Sequence, residues 1–415
     1  MKRTNKSTMN SYRTELADAT GESGREKQNV AATVVIAGNK YGPLIQEAHG
    51  FKHLATDSVA IDLSTTFWVA SCTKLVTTIA ALQLVEKGLV DLDEDITRVL
   101  HEWKNPVVLT GFDDNGKPTT RPAKNKMTLR HLLTHSAGMG YDFLTPKIQR
   151  YRQAMGLSPT ALGGSKSSSL SLMEISFYPL LFEPGEGWEY SYSIDWAGVV
   201  VERLGGHGTL EDYMSQNIWG PLGMTSATFR LHEREDDRSR LLEMLARDEQ
   251  GHLKISDEHK DVYTLGFDLG GGGLYTSATD YAKLLAALLR NDGTLLKRET
   301  VDLMFTPQLP DTKYMIEYVK GNPTQYTLLS GLPFESDADW NWGLGGMLRM
   351  KDVAGKRKAL SLHWSGLPNV QWWVDRSSDV FGMYATQIVP FGDKPSTDLF
   401  SRFEGAVYTE VVSKI

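Results

Sequence analysis

The chain has 415 residues, 41% hydrophobic and 23% charged, with 10 Trp, 16 Tyr and 14 Phe. That composition excludes a disordered, collagenous or coiled-coil protein, and the length suits one large domain with an insertion, or two subdomains around a cleft. A net charge of −7 argues against a surface that tracks phosphates, and a single cysteine, Cys72, excludes an internal disulfide framework and a multi-cysteine metal site.

The first ten residues are basic, but no apolar stretch follows them. No run of the chain reaches 18 uninterrupted apolar residues, so a cytoplasmic protein without signal peptide or membrane span is expected. Residues 8–22 are polar with a weak helical period. Ala31–Ala37 reads as a buried strand, Gly38-Asn39 as a turn, and the chain toward Gly50 as a second strand. From Ser71 to Glu86 the apolar residues Leu75, Ile79, Leu82 and Val85 recur at helical spacing, with Gly88 as the stop. Residues 105–125, rich in Pro, Gly, Asn and Asp, suggest a surface excursion.

Helical patterns dominate from about 128 to 250: Thr128–Thr134, Leu170–Tyr178, Ile194–Leu204 and Leu210–Trp219. The segment 163–169 reads as a mobile loop among them. Strand patterns return at Gly343–Met350, Lys358–His363, Val370–Val374 and Val380–Ile388, and a last amphipathic helix fits Ser396–Val412. The expected fold class is therefore α+β. One antiparallel sheet is built from both termini and flanked by helices, with an all-helical subdomain inserted. The corresponding division is 1–100 plus 260–415 for the sheet subdomain and 101–259 for the mainly helical insertion, with an active site at the seam.

Ser71-Cys72-Thr73-Lys74 is the sharpest chemical feature. Ser-x-x-Lys at a helix start puts a hydroxyl and an ammonium one turn apart on one face. The positive end of the helix favours negative charge developing on the serine oxygen, and a buried lysine can lose its proton near neutral pH. Alone the tetrad is weak, because Ser71 could equally cap the helix while Lys74 faces water. Further segments match in order. Gly88–Asp95, Leu129–Met139 (LRHLLTHSAGM), Phe182–Ser191 (FEPGEGWEYS) and Gly271–Ala282 (GGGLYTSATDYA) follow one another along the chain.

With these segments the chain resembles the serine β-lactamase and penicillin-binding-protein superfamily in its class C-like branch, and most of all family VIII carboxylesterases and lovastatin-type fungal acyltransferases. The resemblance spans roughly 50–390. It implies Ser71 as nucleophile and Lys74 with Tyr190 as general base and acid, the phenol's pKa being depressed beside the ammonium. The Asn that relatives carry two residues after that tyrosine is Tyr192 here, which leaves the choice between the two tyrosines open and makes Tyr192 a substrate contact.

The third motif falls at Ser361–Asn369. Trp364-Ser365-Gly366 is the better register, with Trp364, Ser365 and Gly366 at the substrate and an oxyanion hole made by the backbone N–H groups of Ser71 and Leu367. A competing register puts His363 at the lysine position of Lys-Thr-Gly, and Arg349 is a further candidate for recognising a carboxylate. Trp364 in place of that lysine offers no positive charge, which disfavours penicillins and D-Ala-D-Ala peptides and favours neutral esters or thioesters.

No metal and no organic cofactor is expected. His131-x-x-x-His135 has zinc-helix spacing without the glutamate, the glycine run 270–273 reads as close packing, and Cys72 as a packed small side chain. Trp340, Trp342, Trp372 and Trp373 suit a core or an acyl-pocket wall equally. The partners implied are a small acyl donor, an ester or thioester with an acyl carrier protein among the eligible sources, and a water or alcohol acceptor. Nucleic acid and membrane are not expected. The alternatives are a β-lactamase or D,D-peptidase, and a non-catalytic member of the same fold.

Overall fold

A computed structural model describes residues 8–157, 170–256, 265–321 and 339–412. Its centre is a seven-stranded antiparallel sheet whose strands come from both ends of the sequence. These are β1 (Ala32–Asn39), β2 (Gly42–Gly50), β3 (Trp340–Trp342), β4 (Met347–Arg349), β5 (Leu362–Gly366), β6 (Val370–Asp375) and β7 (Val380–Ala385), in the spatial order β2-β1-β7-β6-β5-β4-β3. The expected union of N- and C-terminal strands is made by β1 on β7, with Val34 opposite Ala385 and Ile36 opposite Met383.

Strands β1, β6 and β7 read as continuous apolar runs because both faces of the sheet are covered. Alternate residues serve different layers. Ala32, Val34 and Ile36 enter the main core with Leu75, Ile79 and Leu82 of α2 (Thr73–Glu86). Val35 and Ala37 face the other way, onto Tyr12 and Leu16 of α1 (Met9–Ala19) and onto Phe400 and Phe403, which lie near the C-terminus in a helix beginning at Lys394. The main core continues from the sheet into segment 101–259 through Trp103, Leu132 and Trp196. Among the described residues, no helix is long and apolar enough to cross a membrane.

Three local expectations change. The excursion at 105–125 is a β-hairpin, Val107–Phe112 paired with Pro118–Pro122, closed by a turn in which Asp113 accepts from the N–H groups of Asn115 and Lys117. The turn expected at Gly38-Asn39 lies slightly later. Gly38 stays in β1 at a bulge, where a Cβ would sit 2.2 Å from the Gly42 carbonyl oxygen, so only glycine allows the hairpin to close there. The helix expected over Leu210–Trp219 is α-helical only to Met214 and continues as a π turn over Ser215–Trp219. Segment 163–169 lies outside the described residues.

Candidate active site

Ser71 sits on a turn fixed from several sides. The short strand Thr66–Trp68 pairs with Tyr275–Ser277 and delivers the chain into a 3-10 turn over Ala70–Cys72 that leads into α2. Thr73 Oγ1 donates to the Ala70 carbonyl at 2.6 Å and accepts from Leu274 N–H at 3.1 Å. Tyr281 donates to the Cys72 carbonyl at 2.8 Å, and Gln387 to that of Trp68 at 3.0 Å. Ala70 itself holds φ = +44°, a left-handed conformation that L residues avoid. Such strain persists only where surroundings impose it, and here it sits one residue before Ser71.

Ser71 does not cap α2 through its side chain. Its Oγ instead accepts from Lys74 Nζ at 3.2 Å, and the same ammonium donates to the Gly271 carbonyl at 2.6 Å. Lys74 is 1% exposed, and burial pushes its pKa down to about 8, with Asp195 working in the opposite direction. Nζ lies 4.7 Å from the centre of the Tyr190 ring and 5.5 Å from that of Tyr141.

Tyr190 arrives from the segment just before α3 (Ser193–Gly205). Its hydroxyl accepts from Trp364 Nε1 at 3.3 Å, and its ring lies beside the Lys74 ammonium that donates to Ser71. The depressed phenol expected beside a lysine is not found. Burial pushes Tyr190 above the ordinary tyrosine range, and its polar neighbours Ser71 and Trp364 offset that only in part. Tyr190 is therefore a neutral hydroxyl in the resting site.

These groups open into a cavity of about 300 Å³, walled mainly by Trp68, Tyr141, Trp188, Tyr318, Met347 and Trp364, with Leu367 at the turn after β5. No lysine or arginine lines it among the described residues. Tyr192 also lines it but turns its hydroxyl away, donating to Asp142 at 3.1 Å, so Tyr190 is the tyrosine facing the serine. Trp364 packs edge-on against Trp342 at 4.7 Å and presents its indole N–H to the cavity's hydroxyl cluster.

His363, its neighbour on β5, pairs with Trp373 of β6, packs against Trp340 and is not among the residues lining the cavity. Arg349 is buried over the same Trp340, away from the cavity. Ser365 lines the cavity, whereas Gly366, expected at the substrate, lies behind it. A Cβ there would fall 2.3 Å from the Val69 carbonyl oxygen and 3.4 Å from Cys72 Sγ, so glycine lets β5 close onto the serine turn.

Cys72 is fully buried, with its thiol pushed up by burial. The two histidines of the 131–135 pair diverge. His131 packs under Gly185, and His135 lies 4.7 Å from Tyr190 with Nδ1 at 3.3 Å from Ser191 Oγ. The four tryptophans at 340, 342, 372 and 373 are core. The aromatic walls are Trp68, Trp188 and Trp364 instead.

Sequence reading missed Asp195, a buried carboxylate on the first turn of α3 that also lines the cavity and accepts from Gly271 N–H at 2.7 Å. Its place one turn beyond Tyr192 was the available signal.

A serine hydrogen-bonded to a buried lysine, with a tyrosine ring beside the ammonium, at the base of a helix beside an antiparallel sheet, is the arrangement of the serine acyl-transferring class of β-lactamase-like folds. The Beta-lactamase family model matches residues 17–405, and the chain belongs to that family. It is 37% identical over 350 residues to monacolin J acid methylbutanoyltransferase of Aspergillus terreus, covering 82% of this chain and 81% of the relative. It is 35% identical over 398 residues to the lovastatin esterase of Penicillium rubens, covering 94% and 97%. Simvastatin synthase of Aspergillus terreus superposes with a TM-score of 0.86 at 32% identity, over 96% of this chain and 98% of that one. The protein is an enzyme of acyl transfer or ester hydrolysis.

Proposed function

We propose that the protein transfers short acyl groups from neutral esters or thioesters through an acyl-serine intermediate on Ser71. The site lies between the sheet portion, 1–100 plus 260–415, and the mainly helical insertion, 101–259. The observation that carries this reading is the hydrogen-bonded pair Ser71–Lys74, with Tyr190 bonded to Trp364 beside it, at the floor of an aromatic cavity whose described walls hold no lysine or arginine.

Neutral Lys74 takes the Ser71 proton as Oγ bonds to the carbonyl carbon, and Tyr190 relays protons between serine, lysine and leaving group. The N–H groups of Ser71 and Leu367 receive the oxyanion. Collapse expels the alcohol or thiol, which leaves with the proton. An alcohol or water then repeats the sequence in reverse. Tyr192, Trp364 and Ser365 contact the substrate.

A cavity of about 300 Å³ suits a branched acyl group of the methylbutanoyl size that the fungal transferase's name specifies, with an apolar alcohol as partner. The likeness to lovastatin esterase supports water as a second acceptor.

Tyr190→Phe should cost at least about a hundredfold in kcat on p-nitrophenyl butyrate, and Tyr192→Phe much less. The reverse order would reassign the relay to Tyr192.

Substrate charge supplies the test of the reading. Wild type should process p-nitrophenyl butyrate far faster than nitrocefin, because no lysine or arginine in the described cavity walls compensates a desolvated carboxylate. Trp364→Lys should move the ester-to-β-lactam ratio of kcat/KM about tenfold or more toward the β-lactam, while ester turnover falls as aromatic packing is lost. A wild type that prefers nitrocefin would make it a β-lactamase instead.

A further inference from the structure

Lys74 and Asp195 are joined through one residue. Lys74 donates to the carbonyl of Gly271 at 2.6 Å, and Asp195 Oδ1 accepts from the N–H of the same Gly271 at 2.7 Å. The fit is close: a Cβ on Gly271 would lie 2.3 Å from Asp195 Oδ2. That second oxygen is sealed from solvent and has no hydrogen-bond partner among the described residues. A buried carboxylate with an unsatisfied oxygen is costly unless a nearby cation balances it.

The other titratable groups around the pair carry no charge of their own. Burial pushes Cys72, Tyr141, Tyr190 and Tyr192 up and His135 down, so each stays neutral at physiological pH. Among the described residues, Asp195 is the one anion acting on Lys74. Tyr192 stands where relatives carry the amide that touches the lysine, and Asp195 follows one helical turn later on the same side of α3.

We infer that Asp195 is a positioning residue, a carboxylate clamped by Gly271 that holds the Lys74 ammonium in register with Ser71 and sets the pH at which the lysine becomes a base. This rests on the acyl-serine reading above. Removing the carboxylate takes away the attraction that keeps Lys74 charged, so the lysine deprotonates at lower pH. The ionisation seen in the rate then moves toward acid, while the amine, no longer steered, transfers the proton less well.

The test is the pH profile of kcat/KM on p-nitrophenyl butyrate for wild type, Asp195→Asn, Asp195→Glu and Gly271→Ala, with melting temperatures and intact masses measured alongside. Asp195→Asn should move the profile about one pH unit or more toward acid, the scale of a close charge partner's effect. Its kcat should fall at least about tenfold with KM within about threefold, and Asp195→Glu should bring the profile partly back. Gly271→Ala, whose added Cβ must displace the Asp195 carboxylate, should move the profile in the same direction and serves should the Asp195 variants not fold. A folded variant with an unmoved profile, or activity lost equally at every pH with glutamate no better, overturns the inference. A mass adduct on Ser71 in wild type separates the two readings: its absence sinks the acyl-serine mechanism itself, and its presence with unmoved profiles sinks only the role given to Asp195.

Discussion

Ser71→Ala should reduce ester turnover by more than about a thousandfold while leaving the melting temperature within a few degrees of wild type. The fold tolerates the change because the serine turn is held by other groups. Thr73 ties the turn to the Ala70 carbonyl, Tyr281 holds the Cys72 carbonyl, and Gln387 holds that of Trp68. Removing Oγ deletes a single 3.2 Å acceptor for Lys74, whose bond to the Gly271 carbonyl remains. Circular dichroism and steady-state kinetics on the same preparation check both halves. Turnover retained in a folded Ser71→Ala protein would place the nucleophile elsewhere.

Lys74→Ala is the second large effect, a loss of about a hundredfold to ten-thousandfold in kcat, the span of general-base removal. In wild type the sign of the pH dependence follows from burial. Desolvation disfavours the ammonium and brings Lys74 down to about 8, so the free base becomes accessible just above neutral pH. Activity should rise with pH through that region and level above it, and Lys74→Ala should remove the rise along with most of the rate. A wild-type profile flat from pH 6 to 10 would assign the base to another group. Tyr190 is a poor candidate for that role, since burial holds its phenol above the ordinary range.

How far the sequence carried this picture depends on where each signal resides. The spacing of Leu75, Ile79 and Leu82 locates α2, and with it the Ser71–Lys74 pair, because one helical turn fixes their geometry without reference to the rest of the chain. The apolar runs at 31–37, 370–374 and 380–388 announce strands. Their union in one sheet follows from the placing of strands at both ends of the chain with helices between.

The choice between His363 and Trp364 depended on strand phase, which adjacent residues leave undetermined until the register Trp364 opposite Trp372 fixes which face meets the cavity. The cavity wall was least legible. Trp68, Trp188 and Tyr318 converge from separate segments, and each alone reads as core. Gly366 shows the opposite error, since a glycine beside motif residues looked like a substrate contact but serves the approach of β5 to Val69. The phenol of Tyr190 was expected to feel the nearby ammonium most. Burial proved the larger effect, which only the packed structure reveals.

The central claim is covalent acylation of Ser71 by a neutral donor. Intact-protein mass measured within seconds of mixing with p-nitrophenyl 2-methylbutanoate, followed by peptide mapping, tests it most directly. One 2-methylbutanoyl group should appear on the peptide containing Ser71 and decay faster when an apolar alcohol is added. It should be absent from Ser71→Ala. An adduct on another peptide, or equal labelling of the alanine variant, would contradict the account.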